Sequence, residues 1–232
     1  MSRQDEITSN LNSIKERIAS ACRRCGRDPA GVKLIAVTKT YPASDIEIAV
    51  GAGCENIGEN RVQELEEKSP LLVCKPVVHL IGHLQTNKVA KAAALADCIH
   101  SVDSLRVLEK LETVCGSIDK KINILIQVNT SGEESKSGCS EIECAEICAV
   151  AAKSSFCKLR GLMTIGPLDG TDEQNRASFR MLKRIAENNR QFFCDGTFEL
   201  SMGMSGDFEA AIEEGATMVR VGSGIFGKRN YA

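Results

Sequence analysis

Lys39 follows the apolar run Leu34–Val37 and precedes Thr40-Tyr41-Pro42. A lysine at the edge of a low-dielectric pocket has its ammonium form disfavoured, and its neutral amine can attack a carbonyl to form an imine. Taken alone, a lysine there reads first as one that reaches solvent from a strand end. A second chemistry lies late in the chain, in Ser201-Met-Gly-Met-Ser205-Gly-Asp207 and Val221-Gly222-Ser223-Gly224. Small residues let backbone amides approach an anion, and a helix that follows adds its positive dipole end. Tight turns needing positive φ explain such glycines equally well.

The elements that must position these residues alternate along the chain. Ile7, Leu11, Ile14, Ile18 and Ala21 repeat at helical spacing, which predicts a leading helix over 3–25. Strands are predicted at Lys33–Val37, Glu55–Gly58, Val77–Gly82, Cys98–Val102, Ile122–Asn129, Leu159–Ile165, Phe198–Met202 and Met218–Gly222. A helix after the first strand begins at Ser44, which Glu47 would answer in a capping box, and ends at Gly51 and Gly53. Further helices fill 60–68, 86–96, 103–116, 140–153, 172–190 and 206–214.

Most of the strands are apolar throughout, as parallel strands covered on both faces should be. Eight β-then-α units without a Pro/Gly/Ser-rich linker point to one α/β domain over 1–232, a (β/α)8 TIM barrel with an extra N-terminal helix. A Rossmann sheet would place G-x-G-x-x-G after the first strand, where Thr38-Lys39-Thr40-Tyr41-Pro42 stands instead. Barrel active sites lie at the C-terminal ends of the strands, and loops seven and eight often hold a phosphate. The polar residues there are Lys39, Glu59, Asn60, Arg61, His83, Gln85, Asn87, Asp103, Asn129, Ser131, Thr164, Ser201, Ser205, Asp207, Arg220 and Ser223.

An imine-forming lysine and a phosphate cradle at one barrel mouth fit a phosphorylated aldehyde, of which pyridoxal 5′-phosphate (PLP) is the common example. A Schiff-base aldolase acting on a phosphorylated sugar fits the same pair of features. The net charge of −2, the lack of a basic run and the absence of Trp argue against a nucleic-acid surface. No stretch approaches the roughly 20 apolar residues of a membrane span, and the polar start MSRQDEITSN is no secretory signal, so a cytoplasmic protein is expected. Eleven cysteines, an odd number, are then reduced thiols. The Cys22-x-x-Cys25 pair has no partner pair at zinc spacing, so no metal is expected.

Eight motifs in order carry a resemblance: LIAVTKT (34–40), IGENRVQE (57–64), HLIGHLQTNK (79–88), SVDS (101–104), SKSG (135–138), GLMTI (161–165), SMGMSGD (201–207) and RVGSGIFG (220–227). Over nearly its whole length the chain resembles the YggS/PROSC family of PLP homeostasis proteins, relatives of the N-terminal barrel of alanine racemase. The resemblance implies a fold-type III PLP barrel with the cofactor held as a Schiff base on Lys39. It implies that Ser205, Gly222 and Ser223 grip the phosphate and that Arg220 faces the pyridine nitrogen. Asn60 and His83 would line the mouth, with Met202 and Met204 packed near the cofactor. Lys136 matches a second lysine in a loop, a transfer site in the family, while Tyr41 stands where some relatives have another lysine.

A permanent cation such as Arg220 disfavours protonation of the ring nitrogen, so the ring would stabilise a carbanion poorly. The sequence ends at Ala232, without the β-rich second domain that supplies a base in racemases. The expectation is therefore a PLP carrier or buffer rather than an enzyme. It would exist as a monomer or weak homodimer and serve apo-forms of PLP-dependent enzymes. A weakly active racemase-like enzyme is the alternative.

Overall fold

The computed structural model describes residues 1–133 and 137–227, and Lys136 lies outside the described residues. Eight strands close a parallel barrel in sequence order: β1 (Lys33–Val37), β2 (Asn56–Glu59), β3 (Val77–Leu80), β4 (Cys98–Val102), β5 (Ile122–Gln127), β6 (Cys157–Met163), β7 (Glu199–Ser201) and β8 (Met218–Val221). The closing β8–β1 pair sets Arg220 beside Ile35. Closure excludes the open Rossmann sheet.

Helices follow each strand: α2 (Ala43–Gly51), α3 (Val62–Lys68), α4 (Val89–Leu95), α5 (Leu105–Ser117), α6 (Glu141–Ala151), α7 (Asp172–Asn188), α8 (Phe208–Glu213) and α9 (Ser223–Phe226), after the leading α1 (Arg3–Arg24). α9 spans only four residues. α1 packs against α2, α8 and α9 and so takes the eighth helix position, on the side of the barrel. Its buried face, Ile7, Leu11, Ile14, Ile18, Ala21 and Cys22, recurs every three to four residues. Ser2 and Asp5 cap it reciprocally.

Two expectations change in the folded chain. Ser44 is not a cap: α2 starts one residue earlier behind Pro42, with no side-chain cap. Glu47 instead accepts the backbone N–H groups of Val73 and Cys74, at 2.6 and 3.0 Å. Several strands also stop short of the predicted apolar run. Val128, for example, leaves β5 to bridge Cys139, because tertiary pairing rather than residue type ends a strand.

Side chains alternate across the barrel wall. Ile35, Cys98, Leu125, Met163 and Met218 form a small buried cluster of their own. Their strand neighbours Ala36, Ile99, Ile124, Ile126, Leu162 and Val219 belong to the large core that also takes in the helices. Thus β8 carries Met218 and Arg220 on one face and Val219 and Val221 on the other. The first face leads to the site.

Candidate functional site

At the C-terminal mouth, a cavity of about 140 Å3 is lined by Val37, Lys39, Asn60, Ile81, Ile165, Met204, Ser205, Arg220, Gly222 and Ser223. Residues from six of the eight motifs therefore meet at one place. Lys39 is half-buried and Arg220 is buried, so two basic side chains line a small, partly apolar space.

The turn before Lys39 is held by charged side chains. Lys68, at the end of α3, donates to the Thr38 carbonyl at 2.8 Å, to Glu59 Oε1 at 2.7 Å and to Glu64 Oε2 at 2.7 Å. Thr38 Oγ1 donates to Glu59 Oε1 at 2.7 Å, and the Thr40 N–H donates to Glu64 Oε2 at 2.7 Å. The backbone on both sides of Lys39 is thereby gripped. Thr40 sits at φ +69°, an outlier for a β-branched residue. Burial pushes the Glu59 carboxyl up, against the opposing pull of Lys68. For Glu64 burial acts upward too, but its hydrogen bonds from Lys68 and the Thr40 amide win and hold it below the usual range.

The opposite wall is built by the two glycine turns. Gly203 has φ +87°, and a Cβ there would lie 2.5 Å from the Ala211 side chain, so the turn after β7 requires glycine. Its carbonyl accepts the Arg220 N–H at 3.0 Å, and Asp207 accepts the Met204 N–H at 2.6 Å. Ser205 Oγ accepts the Gly222 N–H at 3.3 Å, which draws the two turns together. A Cβ on Gly222 would come within 3.3 Å of Val37. Hydroxyls and backbone amides here form a donor set suited to a phosphate.

Arg220 donates from Nη1 to Ser201 Oγ at 2.6 Å and from Nη2 to the Thr164 carbonyl at 2.8 Å. Burial brings its pKa down to about 10, against the attraction of Asp207. It is still a cation at neutral pH. Amine, phosphate donors and guanidinium together fit the three functional parts of PLP: aldehyde, phosphate and ring nitrogen.

Two of the sequence-stated positions lie elsewhere. Met202 is fully buried in the large hydrophobic core, not on the cavity wall. It alternates with Ser201 and Gly203 on its strand end and so faces outward. His83 is exposed and lies 3.4 Å from Asp103 in a neighbouring open groove, which shares Asn60 with the cavity. Tyr41 is a tie rather than a rim group: its hydroxyl donates to the Gly227 carbonyl at 2.7 Å and its ring packs on Phe226. Sequence reading missed Lys68, Glu64 and Thr38, because their roles come only from helix α3 folding back onto β1.

Residues 9–230 match the family model described as alanine racemase, N-terminal domain. The pyridoxal phosphate homeostasis protein of Escherichia coli is 40% identical over 233 residues, 98% of this chain and 99% of that protein. The protein of the same name from Aquifex aeolicus is 37% identical, covering 95% of this chain and 97% of that one. Among solved structures, PipY of Synechococcus elongatus with PLP bound superposes with a TM-score of 0.81 at 36% identity, over 92% of this chain and all of that one. Alanine racemase from Corynebacterium glutamicum, at 16% identity, shares the fold: TM-score 0.74 over 97% of this chain and 61% of that one. No helix among the described residues is long and apolar enough to cross a membrane.

Proposed function

The chain belongs to the alanine racemase N-terminal domain family, and from that premise we propose that it is a PLP-binding homeostasis protein carrying the cofactor on Lys39. The observation that carries this reading is the single cavity that brings together the Lys39 amine, the Ser205–Gly222–Ser223 turns and the Arg220 guanidinium. The relatives at 37–40% identity bear the homeostasis name, whereas the racemases match at 14–16%. When bound, PLP supplies a reactive aldehyde and an electron-accepting ring. Lys39 provides the attaching amine, on a backbone held by Lys68 and Glu64. Ser205, Gly222 and Ser223 would hold the phosphate and Asn60 and Met204 would border the ring, with His83 in the neighbouring groove at the outer edge of the mouth. Arg220, a buried cation, would disfavour a proton on the ring nitrogen, and the ring would then accept electrons poorly.

The role that follows is storage and release of a reactive aldehyde without notable turnover, by one domain spanning 1–232. It would work in the cytoplasm as a monomer or weak homodimer that serves apo-forms of PLP-dependent enzymes. The test is borohydride reduction of the PLP-loaded protein followed by peptide mass spectrometry. A single adduct on Lys39, absent from Lys39→Ala, is expected. A labelled residue elsewhere, or no uptake of PLP, overturns the reading. Racemisation of amino acids at ordinary enzyme rates, about 1–10³ per second, would overturn the storage role alone.

A further inference from the structure

Five side chains from five strands run in file through the barrel interior. Arg220 Nη1 donates to Ser201 Oγ at 2.6 Å. Ser201 Oγ lies 2.9 Å from His100 Nδ1, His100 Nε2 lies 2.8 Å from His79 Nδ1, and His79 Nε2 lies 3.1 Å from Asn56 Oδ1. Ser201 and His100 are fully buried, and His79 and Arg220 nearly so.

One consistent direction of protons along this file starts from its first member. A guanidinium can only donate. Ser201 accepts from Arg220, which leaves its own O–H to turn to His100 Nδ1. With Nδ1 accepting, His100 carries its proton on Nε2 and gives it to His79 Nδ1. His79 in turn carries its proton on Nε2 and gives it to the Asn56 carbonyl oxygen. Each of the four links then pairs one donor with one acceptor.

Burial keeps both imidazoles neutral. It brings His79 down to about 4, with help from Lys33, and holds His100 well below its ordinary value, with help from His79 and Arg220. Cys98 lies close enough to complete a metal-like trio with the two imidazoles. The facing ring nitrogens are, however, already spent on each other.

We propose that His100 and His79, acting through Ser201, are positioning residues that hold the Arg220 guanidinium against the cofactor's ring nitrogen. The proposal rests on the PLP reading above. The chain locks Ser201 in the one rotation that leaves its lone pair for Arg220. With the chain cut, the Ser201 hydroxyl is free to turn, and the guanidinium loses one of its two fixed anchors, keeping only the Thr164 carbonyl.

Two measurements test it. Histidine 15N chemical shifts of the cofactor-free protein at neutral pH report the tautomers directly. Both His79 and His100 are expected neutral with the proton on Nε2. A proton on Nδ1 of either ring, or a doubly protonated ring, overturns the chain whether or not PLP binds. The second measurement is PLP titration with the absorption spectrum of the bound form. His100→Leu is expected to raise half-saturation about tenfold, the worth of one hydrogen bond to a charged group, and to displace the absorption band. His100→Gln, which keeps an acceptor and a donor, is expected to stay within about threefold of the unaltered protein. Reduction still labels Lys39 in both.

A purely structural role would lower stability without moving the band. A folded His100→Leu with an unmoved band and unchanged affinity overturns the proposal. Should that variant fail to fold, Asn56→Leu at the half-buried far end must displace the band in the same direction, and an unmoved band there overturns it. If the unaltered protein takes up no PLP, it is the proposed function that fails, and the tautomers still decide the chain.

Discussion

The two sides of the cavity are held by opposite kinds of polar network. Beside Lys39 the support is charged and near the rim: Lys68 sits between Glu59 and Glu64 and grips the Thr38 carbonyl before the lysine, while Glu64 grips the Thr40 N–H after it. Behind Arg220 the support is neutral and deep, a file of hydroxyl, imidazole and amide groups. The proposed attaching amine belongs to a residue whose backbone neighbours on both sides are fixed. The guanidinium that must stay put is placed by fixing its side chain. Charged contacts carry large pairwise energies but depend on protonation. A neutral directional file costs less to bury and transmits only orientation.

Removing the central cation should give the largest effect. Lys68→Met leaves Glu59 buried without its counter-charge, a change worth about 3–5 kcal/mol. Chemical denaturation at neutral pH measures it. The sign of its pH dependence follows from Glu59, which burial already pushes above its ordinary value of 4.5. Without Lys68 the folded-state value rises further, so folding then favours the protonated form. The deficit relative to the unaltered protein should therefore shrink as pH falls toward 4.5. A deficit that stays constant with pH would mean that Lys68 acts through packing and not through charge.

The neutral file should be the acid-sensitive one. His79 titrates at about 4 in the folded protein, against 6.5 when free. A histidine with a lowered folded value is protonated first in the unfolded chain, so its neutral burial favours folding fully above pH 6.5. That contribution is lost as pH falls from 6.5 to 4, by about 3 kcal/mol in all. His79→Gln should flatten stability across that window. An unchanged acid slope would show that other groups dominate there.

Ser201→Ala should come next, at about 1–3 kcal/mol, because Arg220 Nη1 and His100 Nδ1 lose a shared partner in a buried place. Ser201 is fully buried, so water cannot readily replace it. A loss well below that range would mean that the file closes over the gap.

How much of this was legible before folding divides along the same line. The barrel jacket was readable because its signal is local: apolar runs of strand length, then helical spacing as in Ile7, Leu11, Ile14 and Ile18. The meeting of Lys39 and the two glycine turns at the barrel mouth was readable because each follows a run of strand length. The polar file was not. His79, His100 and Ser201 lie in runs that read as ordinary apolar strands, and His100 meets Ser201 across a sequence separation of 101 residues. No periodicity encodes that meeting; barrel closure does. The Ser44–Glu47 capping box failed for a related reason: a local motif lost Glu47 to the distant amides of Val73 and Cys74. The resemblance sets Met202 near the cofactor, whereas its side chain is buried in the large core.

The smallest expected effect probes the strain at the reactive side. Thr40 holds φ +69°, which costs a β-branched residue about 1–3 kcal/mol. Glycine adopts that angle freely but loses more chain entropy on folding. The two terms oppose each other, so Thr40→Gly should stabilise by less than about 1 kcal/mol in thermal or chemical denaturation. The backbone N–H survives the change and still donates to Glu64, so the grip on Lys39 persists and borohydride should trap PLP on Lys39 as before. A large destabilisation would show that the Thr40 side chain, not its backbone, anchors the turn. Unchanged stability with slower trapping would show that the strained angle itself aims the lysine, and the rim would then be held by conformation as much as by charge.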